Sequence, residues 1–191
     1  MAGPTMDFPD HPFWDFSLQV YGREGVGAAC IHLQEHHGVD VNVMLFCLWL
    51  GETGRGVVDA EELAAIKAAT ERWNQEVVQS LRGVRQILKD GFPDVPHGLR
   101  ESLRGKVLAA ELDSEHLQQL LLAASVDRQA AGGALTVEHR AGDASRNFDL
   151  YLDALGVAFG PADTVHFAHI LGQAFPGLTP ERALDLAEVL M

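Results

Sequence analysis

The stretch that decides the fold is DVNVMLFCLWL, residues 40–50. Asp40 is a residue type that caps helix N-termini, and the run from Val43 to Leu50 would be apolar on all sides of a helix. A short apolar run can also form a buried strand, but the neighbouring connections are short and no partner strand is found. We therefore predict a buried helix around which other helices pack.

Helix start and stop signals recur on both sides of this segment, whereas the alternating pattern of strands is nearly absent. Residues 59–89 and 99–126 carry apolar side chains at helical spacings, and the short connection between them predicts an antiparallel helical hairpin. The predicted fold is an all-α bundle of about eight helices with this long hairpin at its centre. The other predicted helices cover residues 10–22, 24–37, 40–50 and 145–155, and two more open at Pro161 and Pro180.

A glycine-containing segment, residues 130–143, is the best candidate for a domain boundary. The chain shows no internal repeat and no low-complexity tract that would suggest another division. We predict that residues 1–129 form a helical core and that residues 144–191 form a C-terminal helical extension packed on it.

The composition is that of an acidic globular protein, since 47% of the 191 residues are hydrophobic and the formal net charge is -13. Such a charge disfavours binding to nucleic acid or to an anionic membrane surface. The apolar run from Val41 to Leu50 is too short to cross a bilayer. The N-terminus lacks the pattern of a signal peptide, and Cys30 and Cys47 lie in apolar stretches, as buried thiols do. We predict a cytoplasmic protein with no membrane partner.

One set of residues in the first half of the chain resembles a known family. The set comprises FWDFS at residues 13–17, GVDVN at residues 38–42, the apolar positions up to Leu50, and Trp73 with a pattern that continues to Lys89. It is similar to a proteobacterial family that is filed as domain of unknown function 2390, over roughly residues 12–90. That family has no assigned activity, so the resemblance implies an all-helical bacterial cytosolic protein and no particular chemistry.

The sharpest catalytic motif is His32-Leu-Gln-Glu35-His36. Histidines four apart share one face of a helix and can hold one Zn²⁺, with Glu35 as general base and Glu111 or Glu115 as a further ligand. In the other interpretation, histidines at a helix C-terminus complement the helix dipole. A zinc-dependent hydrolase is therefore an alternative hypothesis, and the main prediction is that the protein binds no metal and no cofactor.

Basic residues form a second candidate site near the turn of the predicted hairpin. Arg82, Arg85 and Lys89 share one face of a helix, and three further cations begin the next helix. In an antiparallel hairpin, the two groups would converge into a basic patch that binds an acidic partner surface. In the alternative interpretation, cations near a helix C-terminus complement its dipole and remain solvated. The further cations are Arg100, Arg104 and Lys106.

Aromatic and polar residues form the third candidate site, which consists of Trp14, Tyr21, Asn42, Trp49 and Trp73. Most tryptophans of helical proteins lie in the core. Trp14 and Tyr21 lie seven residues apart, however, and can form one stripe on a helix surface. The three tryptophans can also line a pocket for a small ligand.

The leading functional hypothesis is a non-enzymatic protein-interaction or adaptor module, whose partner is another protein or a second copy of the chain as a homodimer. The aromatic N-terminal face and the basic face near Arg82 and Arg85 are its predicted surfaces. The zinc-dependent hydrolase and a helical protein that binds a small ligand remain as alternatives. Single-stranded nucleic acid is the least favoured ligand, because aromatic residues do not alternate with the basic ones.

Overall fold

The computed structural model describes residues 8–191, and this part of the chain is helical with no strand. The all-α prediction is confirmed. A π-helical turn, Asn74–Val78, joins α4 and α5 without a break, so the described residues contain eight separate helices. The elements are α1 (Pro12–Tyr21), α2 (Val26–His37), α3 (Val41–Glu52), α4 (Ala60–Trp73), α5 (Gln79–Asp90), α6 (His97–Ala124), α7 (Val137–Leu155), α8 (Pro161–Ala174) and α9 (Pro180–Glu188).

The core lies around α3, as its apolar sequence predicts. Every side chain from Val43 to Leu50 is buried. The Asp40 carboxylate accepts a hydrogen bond from the Asn42 backbone N–H at 2.9 Å and so caps the helix. α7 crosses the end of α3 closely, since a Cβ atom added to Gly51 would lie 2.5 Å from the Arg140 carbonyl oxygen. The glycine therefore sets the distance between these two helices.

The last three helices supply the other half of this core. The rings of Phe148 on α7 and Phe167 on α8 stack with their centroids 4.5 Å apart, and both are buried. Phe159 meets both rings edge-on from the connection between the two helices. Buried rings of this kind contribute more than their area alone, through offset or edge-to-face contact. Residues 137–191 thus pack onto α3 through a continuous apolar interior.

Most helix ends follow the local signals. Gly38 ends α2 in the left-handed conformation with φ 68°, and Asp59 with Glu62 forms a capping box at the start of α4. Two starts differ from the prediction. The helix predicted to cover residues 10–22 begins at Pro12, because the His11 Nδ1 atom accepts a hydrogen bond from the Phe13 backbone N–H and so caps α1. α7 begins at Val137, inside the segment expected to be a flexible boundary, because Thr136 caps it there.

The expectation that a long hairpin occupies the centre is not confirmed. Among the described side chains of α5 none is fully buried, and α6 buries side chains only from Glu111 onward. The apolar spacings of residues 59–89 predict one packed stripe, but Val84 and Ile87 are exposed. The π-helical turn explains the difference, because it adds about one residue to the helical register and rotates α5 by about 100° relative to α4.

Within residues 8–191, no helix combines the length and apolar character that a membrane crossing requires.

Candidate interaction surface

The contact between α5 and α6 is built from charged side chains. The Arg82 Nε atom donates to Glu111 Oε1 at 3.0 Å, and Arg82 Nη2 donates to Glu115 Oε1 at 2.6 Å. Arg85 Nη2 donates to Glu111 Oε1 at 3.1 Å, and its Nε atom donates to the other oxygen of the same carboxylate. The Glu111 side chain is only 4% exposed. Two arginines thus clamp one buried carboxylate between the helices.

The charges of this network stabilise one another. Burial alone would raise the pKa of Glu111, but hydrogen bonds from Arg85 and Arg82 outweigh burial and hold that pKa below its ordinary value. The hydrogen bond to Glu111 in turn raises the pKa of Arg85. Burial raises the pKa of Glu115, although the charge of Arg82 acts in the opposite direction. Glu111 is therefore the carboxylate that stays ionised at the centre of the contact.

The two helices run in opposite directions along this contact. Arg85 near the middle of α5 meets Glu111, whereas Arg100 at the start of α6 donates to the Gly91 carbonyl oxygen just after α5, at 2.6 Å. Later residues of one helix therefore meet earlier residues of the other. Polar bonds thus join the pair at two levels, near the turn and around Glu111.

Several apolar side chains of the pair are exposed on its outside, whereas Leu81 and Leu88 of α5 are half-buried and Leu122 of α6 is fully buried. Leu99 is 70% exposed and Leu103 is 50% exposed, and Val84 is exposed as well. Successive residues of an α-helix are about 100° apart around its axis, so the sequence shows which side chains share a face. Five apolar residues of α6 lie within an arc of about 40°, and three apolar residues of α5 lie within an arc of about 60°. We call these two sets the α6 stripe and the α5 stripe. The α6 stripe consists of Leu99, Leu103, Ala110, Leu117 and Leu121, and the α5 stripe consists of Leu81, Val84 and Leu88.

Both stripes lie on the same face of the pair. Around the helix axis, the α5 stripe lies about 100° from Arg82 and Arg85, and the α6 stripe lies about 120° from Glu111 and Glu115, in the same rotational sense. Because the helices are antiparallel, the same sense of rotation brings the two stripes to one side. We call this apolar side, residues 81, 84, 88, 99, 103, 110, 117 and 121, the outer face.

The opposite face of α6 packs against the body of the protein. The ring of Trp14 on α1 stacks on His116, with the centroids 4.2 Å apart and the planes 1° from parallel. The Asn42 side chain donates to Gln118 at 3.0 Å and accepts from Gln119 at 2.8 Å. These contacts fix α6 on α1 and α3, while the outer face points away from them.

The comparisons with known proteins give one match. A family model described as "Protein of unknown function (DUF2390)" matches residues 12–122, more than half of the chain. The chain belongs to this family. No curated protein and no solved structure matches it significantly. The match extends beyond the expected residues 12–90 and ends within the last turn of α6, so the DUF2390 region includes α5 and α6 as far as Leu122.

The basic patch expected in the DUF2390 region does not form. Arg82 and Arg85 face Glu111 in the contact between the helices, where carboxylates neutralise them. Arg104 pairs with Glu101 at 2.8 Å on its own helix. Lys89 is exposed near the end of α5. Sequence spacing placed the arginines on one face correctly, but the glutamates that meet them come about 30 residues later.

The aromatic residues of the DUF2390 region do not form one surface or one pocket. Trp49 is buried, and the Arg55 guanidinium lies 4.1 Å from the centroid of its ring. Trp73 lies elsewhere, where its Nε1 atom donates to the Ser114 carbonyl oxygen at 2.9 Å. Of two surface clefts, the one of about 680 Å³ includes Trp49 in its lining, and the one of about 150 Å³ includes none of the tryptophans.

Tyr21 and Asn42 also lie in different environments. Tyr21 is exposed at the end of α1, and burial of part of its ring raises the pKa of its hydroxyl. Asn42 is buried, and both the nitrogen and the oxygen of its side-chain amide form hydrogen bonds with residues of α6. Its role is therefore internal: it joins the start of α3 to α6.

One histidine of the H-x-x-E-H motif, His32, and the neighbouring His37 meet Asp163, a residue that the motif did not predict as a partner. His32 Nε2 lies 2.9 Å from Asp163 Oδ1, and His37 Nε2 lies 3.0 Å from the same oxygen. His36 instead donates through Nδ1 to the His32 carbonyl oxygen at 2.9 Å. No local signal could have paired positions 32 and 163, because α8 reaches α2 only in the folded chain.

The predicted set of zinc ligands is therefore wrong, because its members do not come together in the structure. Glu111 and Glu115, proposed as further ligands, bind arginines on the α5–α6 pair. Glu35 is exposed. In the part of the chain that the structure describes, no three His, Cys, Asp or Glu side chains are arranged to hold a metal ion.

Proposed function

We propose that the protein is a non-enzymatic interaction module of the adaptor type, which binds a helical protein surface through the outer face of the α5–α6 pair. One observation carries this proposal. The pair places arginines and glutamates in its interior and leucines and valines on its outside. A helix pair that worked alone in water would bury its apolar stripe and expose its charges. The inverted arrangement is stable when a partner covers the outer face.

The size of the outer face supports a protein partner. A rise of about 1.5 Å per residue makes the α6 stripe about 33 Å long, and two packed helices make the face nearly 20 Å wide. Because the α5 stripe is only about 10 Å long, the apolar footprint is about 400 Å², which is larger than the area of a few scattered leucines and about half of the ~800 Å² that each partner buries in a standard interface.

The charge of the face favours an apolar helical partner over a nucleic acid. The charged residues of α6 nearest to the stripe are Lys106 and Asp113, which cancel. The chain as a whole carries a formal charge of -13, which repels phosphate groups. A second amphipathic helix or helix pair, packed ridges into grooves, matches a long face of this kind.

Photo-crosslinking tests the proposal in cells that produce the protein. A photoreactive phenylalanine analogue replaces Leu103 on the outer face in one variant. In the matched control it replaces Leu112, which lies on the same helix and is 46% exposed but points to the other side. We expect a protein adduct from position 103 that is absent from position 112. Adducts from neither position, or equally from both, would contradict the proposal.

The same proposal places the protein in the bacterial cytoplasm. Cys30 and Cys47 are buried free thiols, and burial raises the pKa of each to about 12. Thiols in that state are unreactive and suit a reducing compartment. Fractionation of the source bacterium with an antibody against the protein tests this placement, and recovery in the periplasmic fraction would overturn it.

A further inference from the structure

We propose that the partner of the outer face is a second copy of this chain, which packs α6 against α6 and α5 against α5 in an antiparallel two-fold dimer. This inference rests on the proposed function, because it names the partner of the same face. The reason for choosing a second copy is that both apolar stripes are self-complementary about one point.

The leucines of the α6 stripe are spaced symmetrically about Ala110 along the sequence. Leu103 lies seven residues before Ala110 and Leu117 lies seven after it, while Leu99 and Leu121 lie eleven residues before and after. When two copies of α6 pack antiparallel with Ala110 at the crossing, each leucine therefore meets a leucine of the other copy. The small side chain at the crossing lets the helices approach closely, as an isologous two-fold contact requires.

The α5 stripe is centred on Val84, which lies at about the same level along the helix pair as Ala110. Leu81 and Leu88 flank Val84 by three and four residues, so an antiparallel second copy pairs Leu81 with Leu88 and Val84 with Val84. Arg82 and Arg85 both bond to Glu111, and Val84 lies between them, level with this part of α6. One two-fold axis across the pair thus serves both stripes, although the two helices differ in sequence.

Charge complementarity follows the same symmetry. Lys106 and Asp113 lie on one edge of the α6 stripe, at four and three residues from Ala110 in opposite directions. In the antiparallel dimer, Lys106 of each copy therefore lies beside Asp113 of the other. In a parallel two-fold pair the charged edges of the two copies would lie on opposite flanks, so Lys106 and Asp113 would have no partner across the contact and this attraction would be lost. The charges select the antiparallel dimer.

Size-exclusion chromatography with light scattering and analytical ultracentrifugation measure the oligomeric state of the full chain. We expect twice the chain mass of 20.7 kDa at micromolar concentration. Leu103→Asp should raise the dissociation constant at least about 30-fold, because each substitution acts twice across a two-fold contact. Leu112→Asp, on the other side of the same helix, should leave the dissociation constant unchanged. Circular dichroism checks that both variants remain folded.

A charge exchange tests the antiparallel direction. Lys106→Glu alone and Asp113→Lys alone should each weaken the dimer, because each places like charges side by side. The double variant, Lys106→Glu with Asp113→Lys, should recover most of the wild-type affinity. A double variant as weak as the two single changes combined would overturn the antiparallel pairing.

A cysteine at the proposed axis locates it without relying on affinity. Ala110→Cys should form an intermolecular disulfide on mild oxidation, and Leu112→Cys should not, because position 110 meets its own copy at the axis and position 112 does not. Native Cys30 and Cys47 are buried and do not compete.

A chain that stays monomeric up to about 100 μM, or a dimer that Leu103→Asp leaves intact, would overturn this inference. If the same chain still gives a position-specific adduct with a different protein from position 103, the proposed function stands and only the identity of the partner is wrong. If position 103 gives no specific adduct at all, both fail.

Discussion

Arg85 and Glu111 are joined by two hydrogen bonds across the contact between α5 and α6, and Glu111 is almost wholly buried there. Burying a charge is costly unless it is paired, and this carboxylate has Arg82 as a second partner. The α5–α6 pair thus depends on one glutamate.

Replacing Glu111 with Ala should lower the free energy of unfolding by about 3 kcal/mol, because two arginines lose their shared partner in a half-buried contact. Urea denaturation followed by circular dichroism measures the change. The control is the exposed pair of Arg72 and Glu76, on the continuous helix that α4 and α5 form. Glu76→Ala should lower the free energy of unfolding by less than about 0.5 kcal/mol. Equal losses from the two substitutions would contradict the central role of Glu111.

Gly51→Ala should destabilise the protein by at least about 2 kcal/mol, since the added Cβ would lie 2.5 Å from the Arg140 carbonyl oxygen and force α7 away from α3. Gly83→Ala is the matched control, because nothing lies within 4 Å of its Cβ position. It should stabilise the protein by about 0.5–1 kcal/mol through helix propensity. Opposite signs of the two shifts in thermal midpoint are the expected result.

Asn42→Leu should cost about 2 kcal/mol, because it leaves the buried Gln119 amide without its acceptor. The Gln119 Oε1 atom already lacks a hydrogen-bond partner in the described structure. Adding Gln119→Leu should therefore recover about 1 kcal/mol, since an apolar pair replaces a half-satisfied one. Gln118 keeps its bond from Asn74 in both variants. The denaturation midpoints of the single and double variants in urea measure these changes. A double variant less stable than Asn42→Leu alone would contradict the prediction.

Asp163 should make stability depend on pH in the acid range. Burial acts to raise its pKa, but the hydrogen bonds from the Gly160 N–H and His32, together with the close contact of His37, outweigh burial and lower the pKa from 3.8 to about 2. The folded pKa is below the unfolded one, so Asp163 contributes fully above pH 3.8 and its contribution, about 2 kcal/mol, is lost as the pH falls through 2.

Asp163→Asn should therefore destabilise the protein by about 2 kcal/mol at pH 7 and flatten the pH dependence between about pH 4 and 2. Urea midpoints measured across this range test the prediction. Asp94→Asn, at an exposed position between α5 and α6, serves as control and should leave the curve unchanged. A variant that loses stability with falling pH as steeply as the wild type would show that another carboxylate is responsible.

Local chemistry predicted the central helix and most of the helix ends. The run from Val43 to Leu50 is apolar on all sides, and a helix of that kind is stable only inside a protein. Asp59 and Gly38 act on atoms within a few residues of themselves, so their roles are visible in the sequence. The position of α5 was not predictable in this way, because the spacing of its apolar residues is the same whether the stripe faces inward or outward.

The sequence predicted which kinds of residues share a helix face, but not which distant residues they contact. The sequence showed that Arg82 and Arg85 share a helix face, but their partner Glu111 is more than 25 residues away. The pairing of His32 with Asp163 spans 131 residues. Contacts between distant segments depend on how helices cross, and spacing within one helix carries no information about that.

The π-helical turn at Asn74–Val78 determines which side of α5 faces α6. Removal of one residue from this turn would restore regular α-helical register and rotate α5 by about 100°. The leucine stripe would then turn toward α6, and the arginines would turn toward water. A length change of one residue, with almost no change in composition, thus decides whether α5 contributes apolar side chains or arginines to the exposed face of the pair.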